Sequence, residues 1–197
     1  MLTERLKKQI EFILEIDKEK NIRRQNHLTD GARRENDAEH AWHMAIMIYL
    51  LKEYADGEFD VAKAMIMALI HDIVEIDAGD TYAYDADNLK TQRDREEKAA
   101  ERIFGILPKE QKEELKALFE EFEAGESKEA QFARAIDCFQ PLLLNNANDG
   151  KDWYAHKVKK SQVVHRQRFA KMCAPEIWDE SMKIIDRNLR LGSIADD

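Results

Sequence analysis

The adjacent pair His71 and Asp72 closes the apolar run MIMALIHDIVEIDAGD, where two groups able to hold a metal are otherwise out of place. An ionised aspartate taken out of water costs several kcal/mol unless it is paired, hydrogen-bonded or bound to a cation, and one divalent ion would satisfy both side chains. Two further residues share this character. His40 lies in AEHAWH, and Asp137 is a lone carboxylate in the apolar stretch ARAIDCFQPLLL. Two imidazoles with two carboxylates form a nitrogen and oxygen set that suits Mn, Co, Fe or Zn, with Mg also admitted, better than Ca. Neighbours on a helix are rotated by about 100°, so His71 and Asp72 converge on one ion only if it sits at the helix edge between them.

Glu75, four residues after His71 and three after Asp72, falls on a neighbouring face of the same turn. A carboxyl group there could take a proton from water or give one to a leaving alkoxide. Asp80 follows Gly79 and is placed to reach a cleft mouth and accept a hydrogen bond from a sugar hydroxyl; a solvated acidic helix end is the plainer reading of Glu75, Asp77 and Asp80. Cationic groups gather in IRRQNHLTDGARREN, where Arg23, Arg24, Arg33 and Arg34 flank a Thr29-Asp30-Gly31 turn. Guanidinium groups offer planar, bidentate donors that suit phosphate. His43, one turn after His40, reads as a hydrogen-bonded helix histidine beside the site, and His27, His156 and His165 as ordinary polar residues.

The elements that must position these residues are helical. Only 7 Gly and 3 Pro occur in 197 residues, 36% of which are charged, a balance that suits amphipathic helices. Periodicity predicts a first helix over Leu2–Lys20 with Leu6, Ile10, Ile13 and Leu14 facing inward. A second is expected from Asp37 to Tyr54, capped by Asn36 or Asp37, with Met44, Met47, Ile48 and Leu51 on one side. The third, Asp60 to Ile76, is apolar nearly all round and should be central, with Gly79 stopping it. Further helices are expected over Asn88–Phe104, Pro108–Glu123, Ser127–Asn148, Trp153–Met172 and Pro175–Leu191. The fold class is all-α, in one domain over residues 1–197, with no linker-like stretch. Of the late aromatics, Phe139, Trp153, Phe169 and Trp178 should mostly pack internally.

The N-terminus interleaves charge with apolar residues, unlike a signal peptide, and no segment is long enough to span a bilayer, so a soluble, cytoplasmic protein is expected. Cys138 and Cys173 lack CxxC spacing and read as reduced, buried thiols. A formal net charge of -9 argues against a binder of nucleic-acid polymers or anionic membranes, so an anionic substrate must meet a local positive patch.

The series His40, His71 with Asp72, then Asp137 resembles the HD-domain superfamily of metal-dependent phosphohydrolases. More narrowly, RRENDAEHAWH followed by HDIVEIDAGDTYAYD is similar to the branch containing the 5′-deoxynucleotidases. The motifs lie within residues 20 to 140, with the C-terminal helices completing the bundle. The resemblance implies a single helical HD domain in which His40, His71, Asp72 and Asp137 bind one divalent ion, Glu75 and Asp72 serve catalysis, and Asp80 contacts the sugar. It implies that Arg24, or Arg23, holds the phosphate, with Arg33 in the same patch, and that the chain forms a homodimer. The expected substrate is a nucleoside 5′-monophosphate, cleaved to nucleoside and phosphate. One departure concerns the sugar: those enzymes carry a tryptophan close after the phosphate-binding arginine, associated with deoxyribose preference, whereas this chain reads Gln25, Asn26 and His27. Alternatives are a phosphodiesterase or guanosine polyphosphate hydrolase of the same fold, or a nucleotide-sensing module without turnover. Two-iron oxygen chemistry would need histidines between residues 72 and 137, and the sequence has none there.

Overall fold

The computed structural model describes residues 3–85 and 87–197. In chain order the elements are α1 (Glu4–Ile16), β1 (Arg23–His27), β2 (Arg34–Asn36), α2 (Asp37–Leu51), α3 (Val61–Ile70), α4 (Glu75–Ala78), α5 (Leu89–Phe104) and α6 (Lys109–Ala124), followed by α7 (Lys128–Ala147), α8 (Lys151–His156), α9 (Lys160–Arg166), α10 (Arg168–Cys173) and α11 (Pro175–Leu191). The helical class expected from composition is observed, with one antiparallel hairpin added.

That hairpin is the segment expected to be an arginine-bearing loop. β1 pairs with β2, and the turn at residues 29–31 is closed by the Gly31 amide donating to Leu28 O at 2.8 Å, with Gly31 at φ 68°. The turn chemistry of Thr-Asp-Gly was legible; the pairing of polar flanks was not, because RRQNH and REN lack strand-like alternation of apolar and polar residues. β2 runs directly into α2, whose N-cap is Asn36. Its side chain accepts from the Glu39 amide while Glu39 returns a bond to the Asn36 amide, a reciprocal cap. This junction orients the first turn of α2, where Asp37 and His40 stand.

Helix α7 is the spine. It packs against α2, α3, α6, α10 and α11, burying Phe132, Ile136 and Leu142 with Met44, Ile48, Met67, Trp153 and Ile185. A second apolar cluster joins α1, α5 and α6 through Phe12, Ile103, Phe104 and Phe119, and receives Ile73 and Val74. Phe139 and Trp153 are buried, and Phe169 and Trp178 pack on the core as partly buried groups. Both cysteines are buried and free. No helix is long and apolar enough to cross a membrane among the described residues.

Three helix expectations need correction. The inward face of α1 is carried by Phe12 and Ile16, while the row Leu6, Ile10, Ile13 and Leu14 is exposed, Ile13 at 60% and Leu14 at 66%. The first 20 residues hold two apolar stripes, and the larger aromatic wins the core; Leu2 lies outside the described residues. The third helix is not continuous. α3 ends at Ile70, and residues 71–74 tighten into turns in which Ile73 N reaches Ile70 O and Glu75 N reaches Asp72 O at 2.8 Å, before α4 resumes and Gly79, at φ 74°, closes it. Nor is it buried all round as its apolar pattern suggested, since Ile66 and Leu69 are exposed. Finally, residues 153–172 form parts of three helices rather than one. Lys157 adopts a left-handed conformation at φ 52° and ends α8, and Gln167 separates α9 from α10.

Candidate metal centre and active site

The break after α3 brings His71 and Asp72 onto one spot. His71 Nε2 lies 3.1 Å from Asp72 Oδ1, the convergence that a regular helix would oppose. His40 enters from the first turns of α2 and Asp137 from the middle of α7. His40 Nε2 stands 3.2 Å from Asp137 Oδ1 and 4.0 Å from Asp72 Oδ2, and His71 Nε2 lies 3.8 Å from Asp137 Oδ1. The four residues thus converge from three elements. Pro141 sits one turn after Asp137 inside α7, where its missing amide leaves the Asp137 carbonyl without the regular helical bond.

Each imidazole is oriented from behind. His40 Nδ1 is 3.0 Å from Gln140 Oε1 and His71 Nδ1 is 2.9 Å from Ala68 O. Both partners are acceptors, so both Nδ1 atoms donate and both Nε2 atoms face the carboxylates. Ring nitrogens gathered among anionic oxygens call for a cation between them, a proton or a metal. His71 Nε2 is buried with no hydrogen-bond partner among the described residues, and ligand atoms of His40, His71 and Asp72 lie within 4.8 Å of one another. The donor set therefore fits a divalent metal. Burial, joined by the nearby Arg24 charge, lowers the His40 pKa to about 4, so this ring is neutral and able to ligate. Burial also opposes charge on His71, but the Asp72 and Asp137 carboxylates outweigh it and push that ring up to about 9. The same carboxylates that retain a proton there would hold a metal cation.

Around this centre the acidic groups divide. Burial works against ionisation of Asp72, but His71 and Arg24 outweigh it and lower its pKa. Burial likewise penalises Asp137, and the close His40 contact together with the Arg166 charge overcomes it and lowers its pKa. Glu75 is buried and raised well above the usual carboxylate range, first by desolvation and then by Asp72 and Asp37, which favours its protonated form. Asp37, raised to about 8 mainly by burial, is similarly held uncharged. Asp37, Glu75 and Asp80 form a second group whose oxygens lie within 4.8 Å of one another. Glu75 Oε2 and Asp37 Oδ2 are buried without partners among the described residues, so this trio could hold a second cation.

Of the arginines singled out in the sequence, Arg24 alone reaches the site. Its Nη1 donates to Asp72 Oδ2 at 2.6 Å and to Asp37 Oδ1 at 3.3 Å, and its Nε lies 3.8 Å from Glu35 Oε2. Arg23 is exposed and donates to Arg34 O. Arg33 is spent on Glu39 through a bidentate pair at 2.8 and 2.6 Å. Alternation along β1 explains the split, because adjacent strand residues point to opposite faces. Asp80 lines the cavity beside Asp72 and Glu75. His43 lies 3.1 Å from Gln140 Nε2, as a hydrogen-bonded neighbour of the centre, while His27 pairs with Asp152 at 2.7 Å.

These groups open into a polar cavity of about 400 Å³ whose walls include Arg24, Gln25, Asn26, Tyr82, Tyr84 and Arg166. Four groups in or around the site gave no clear signal in the sequence. Asp37 read only as a possible helix cap, and nothing in their local sequence singled out Glu35 or Arg166. Gln140, three residues after Asp137 in an apolar run, was a buried polar residue of the kind that identified Asp137 itself.

A helical bundle with a His, His, Asp, Asp cluster at the junction of three elements defines a metal-site fold class, and similarity to known proteins agrees with it. Residues 16–178 match the HD domain family model, and the chain belongs to this family. The human 5′-deoxynucleotidase HDDC2 is 30% identical over 145 residues, covering 74% of this chain and 68% of the human protein. Its Mus musculus counterpart is 29% identical over 143 residues, covering 73% and 69%. A crystal structure from Magnetospirillum magnetotacticum MS-1, described as a predicted metal-dependent phosphohydrolase, superimposes with a TM-score of 0.90 at 44% identity, covering 97% of this chain and 96% of that one. A conserved hypothetical protein from Pyrococcus furiosus shares the fold, with a TM-score of 0.61 at 22% identity over 90% and 99% of the two chains.

Proposed function

We propose that the chain is a metal-dependent phosphohydrolase that cleaves nucleoside 5′-monophosphates to nucleoside and inorganic phosphate. The observation that carries this reading is the opening of His71, Asp72 and Asp137, with His40 buried directly behind them, into one cavity of mononucleotide size that Arg24 and Glu75 also line. His40, His71, Asp72 and Asp137 would hold the ion. A divalent metal in such a set supplies Lewis acidity toward phosphoryl oxygens and acidifies water. Arg24, fixed by Asp72 and Asp37, presents positive charge where the phosphoryl group gathers negative charge. Glu75, buried and with its pKa raised by desolvation, would be the proton donor. As water oxygen bonds to phosphorus and the P–O5′ bond breaks, the leaving oxygen keeps the electron pair and takes that proton; the proton lost by water then restores Glu75. Asp80, at the cavity wall, would accept from a sugar hydroxyl. The names of the HDDC2 relatives support a 5′-monophosphate substrate, and Gln25 with Asn26 lining the cavity leaves a polar wall on the substrate side.

The test is phosphate release from panels of deoxyribo- and ribonucleoside 5′-monophosphates by metal-stripped protein resupplied with Mn, Co, Mg or Zn, with Asp72→Ala as control. Metal-dependent release that disappears in the variant is expected. Silence across the panel with metal bound would reject nucleotidase activity.

A further inference from the structure

Arg166 ends α9, far in sequence from every motif discussed above, and its guanidinium lines the same cavity as Arg24. Its placement is built rather than incidental. The next residue, Gln167, is buried, donates from Nε2 to Cys138 O at 3.0 Å and accepts from Ser181 Oγ at 3.4 Å. Gln167 thereby pins the α9–α10 joint to α7 one residue after Asp137, which sets Arg166 beside Asp137.

The other arginines of this wall have work elsewhere. Arg134 Nη1 donates to Phe122 O and Glu123 O, both at 3.1 Å, and its guanidinium lies over the rings of Phe122 and Phe169. Arg168 lies over the Phe169 ring at 4.6 Å, and Arg93 is paired with Glu97 at 2.9 Å. Arg166 differs. Among the described residues it donates no hydrogen bond, its one ion-pair contact is Nη2 to Asp137 Oδ2 at 3.8 Å, and its side chain keeps 29% of its exposure. A guanidinium has five N–H donors in a planar fork, and here they border the cavity unspent. Arg24, by contrast, is already shared among three carboxylates. A phosphate dianion entering between Asp72, Asp80 and Asp137 needs more cationic charge from the protein than Arg24 has to give.

We propose that Arg166 is a second phosphate-binding residue, holding the phosphoryl group of a phosphomonoester from the Asp137 side while Arg24 holds it from the Asp72 side. The assignment rests on the reading of the cavity as a phosphomonoester site. Charge-assisted bidentate pairing is the chemistry that a guanidinium supplies and an ammonium only partly reproduces.

The test measures inorganic phosphate binding by calorimetry to manganese-loaded protein, comparing wild type with Arg166→Gln, Arg166→Lys and Arg187→Gln. The last removes the same charge from the exposed face of α11. Arg166→Gln should weaken phosphate binding about 10- to 100-fold, Arg166→Lys should fall between, and Arg187→Gln should match wild type. Manganese affinity should stay within about twofold throughout. Loss of manganese affinity in Arg166→Gln, with phosphate affinity unchanged at saturating metal, would overturn the proposal and make Arg166 a positioning residue for Asp137. Parallel nucleotide assays separate the two readings. Wild-type silence with Arg166-dependent phosphate binding rejects the nucleotidase reading and keeps the arginine assignment. Undiminished turnover with unchanged KM and phosphate affinity in Arg166→Gln rejects the assignment and keeps the nucleotidase.

Discussion

Gln140 Oε1 accepts from His40 Nδ1 at 3.0 Å, and the same amide donates from Nε2 to Glu35 Oε1 at 2.6 Å. One fully buried side chain on α7 therefore sets the tautomer of a histidine on α2 and fixes which nitrogen faces the metal centre. Replacing Gln140 by Leu keeps the volume but leaves the His40 N–H and the Glu35 carboxyl without this partner. Each unsatisfied buried group costs roughly 1–3 kcal/mol, and outer groups of this kind tune metal affinity about 10- to 100-fold. Gln140→Leu should lower both the denaturation midpoint and manganese affinity. A variant that lost stability while binding manganese as wild type would show that Gln140 supports the fold and not the ligand.

Much of this arrangement was legible from residue types. His71, Asp72 and Asp137 announced themselves because charge-bearing groups in apolar runs need a partner, and the capping pattern of Asn36 with Glu39 located the start of α2. What periodicity could not supply was backbone detail set by tertiary contacts. The unwinding at residues 71–74 is compatible with an apolar helix pattern, yet it decides that His71 and Asp72 meet. The choice between Arg23 and Arg24 needed the strand alternation of a hairpin without the usual pattern. Arg166 was illegible because its meaning comes from Gln167 binding the Cys138 carbonyl, a contact between residues 29 positions apart. On α1 two stripes competed, and only packing against Phe104 selected Phe12.

The unpartnered His71 Nε2 and the facing carboxylates predict a stability response to metal. Without a metal the carboxylates are met here by the proton that His71 retains, and an ion that binds only the folded state stabilises it by about 2.7 kcal/mol at a hundredfold excess over Kd. Manganese should raise the melting temperature of metal-stripped wild type, and His71→Ala should erase most of that rise. An equal rise in the variant would place the ion elsewhere.

Glu75 is expected to act in turnover and not in holding the centre formed by His40, His71, Asp72 and Asp137. Its carboxyl group is buried, and desolvation, then Asp72 and Asp37, raise its pKa well above the usual carboxylate range. Glu75→Gln preserves the shape while removing the transferable proton, and loss of a positioned acid typically costs about 10²–10⁴ in rate. The expected outcome is a fall in kcat of about 100-fold or more, with at least one equivalent of metal retained by elemental analysis. Wild-type kcat in this variant would remove the proposed proton donor.

Glu96 gives a pH signature at the cavity wall. Burial raises its pKa from 4.5 to about 7, against a hydrogen bond from Gln92 Nε2 at 2.6 Å and with added repulsion from Glu123. Because the folded value exceeds the unfolded one, the folded state favours the protonated form. The associated stability is fully present below about 4.5 and is lost as pH rises toward and through about 7. Above that range the ionised, desolvated carboxylate costs ~1–3 kcal/mol. Glu19 and Glu35 are raised to about 7 in the same direction, chiefly by burial, so wild type should lose stability over this window through several groups at once. Glu96→Gln isolates one of them, since glutamine keeps the shape and cannot ionise. Urea denaturation of metal-stripped protein at pH 5 and pH 8 should show the variant close to wild type at pH 5 and more stable at pH 8. A variant with the same pH dependence as wild type would mean that Glu96 stays solvated enough to ionise freely, and that its side of the cavity is wetter than its burial indicates.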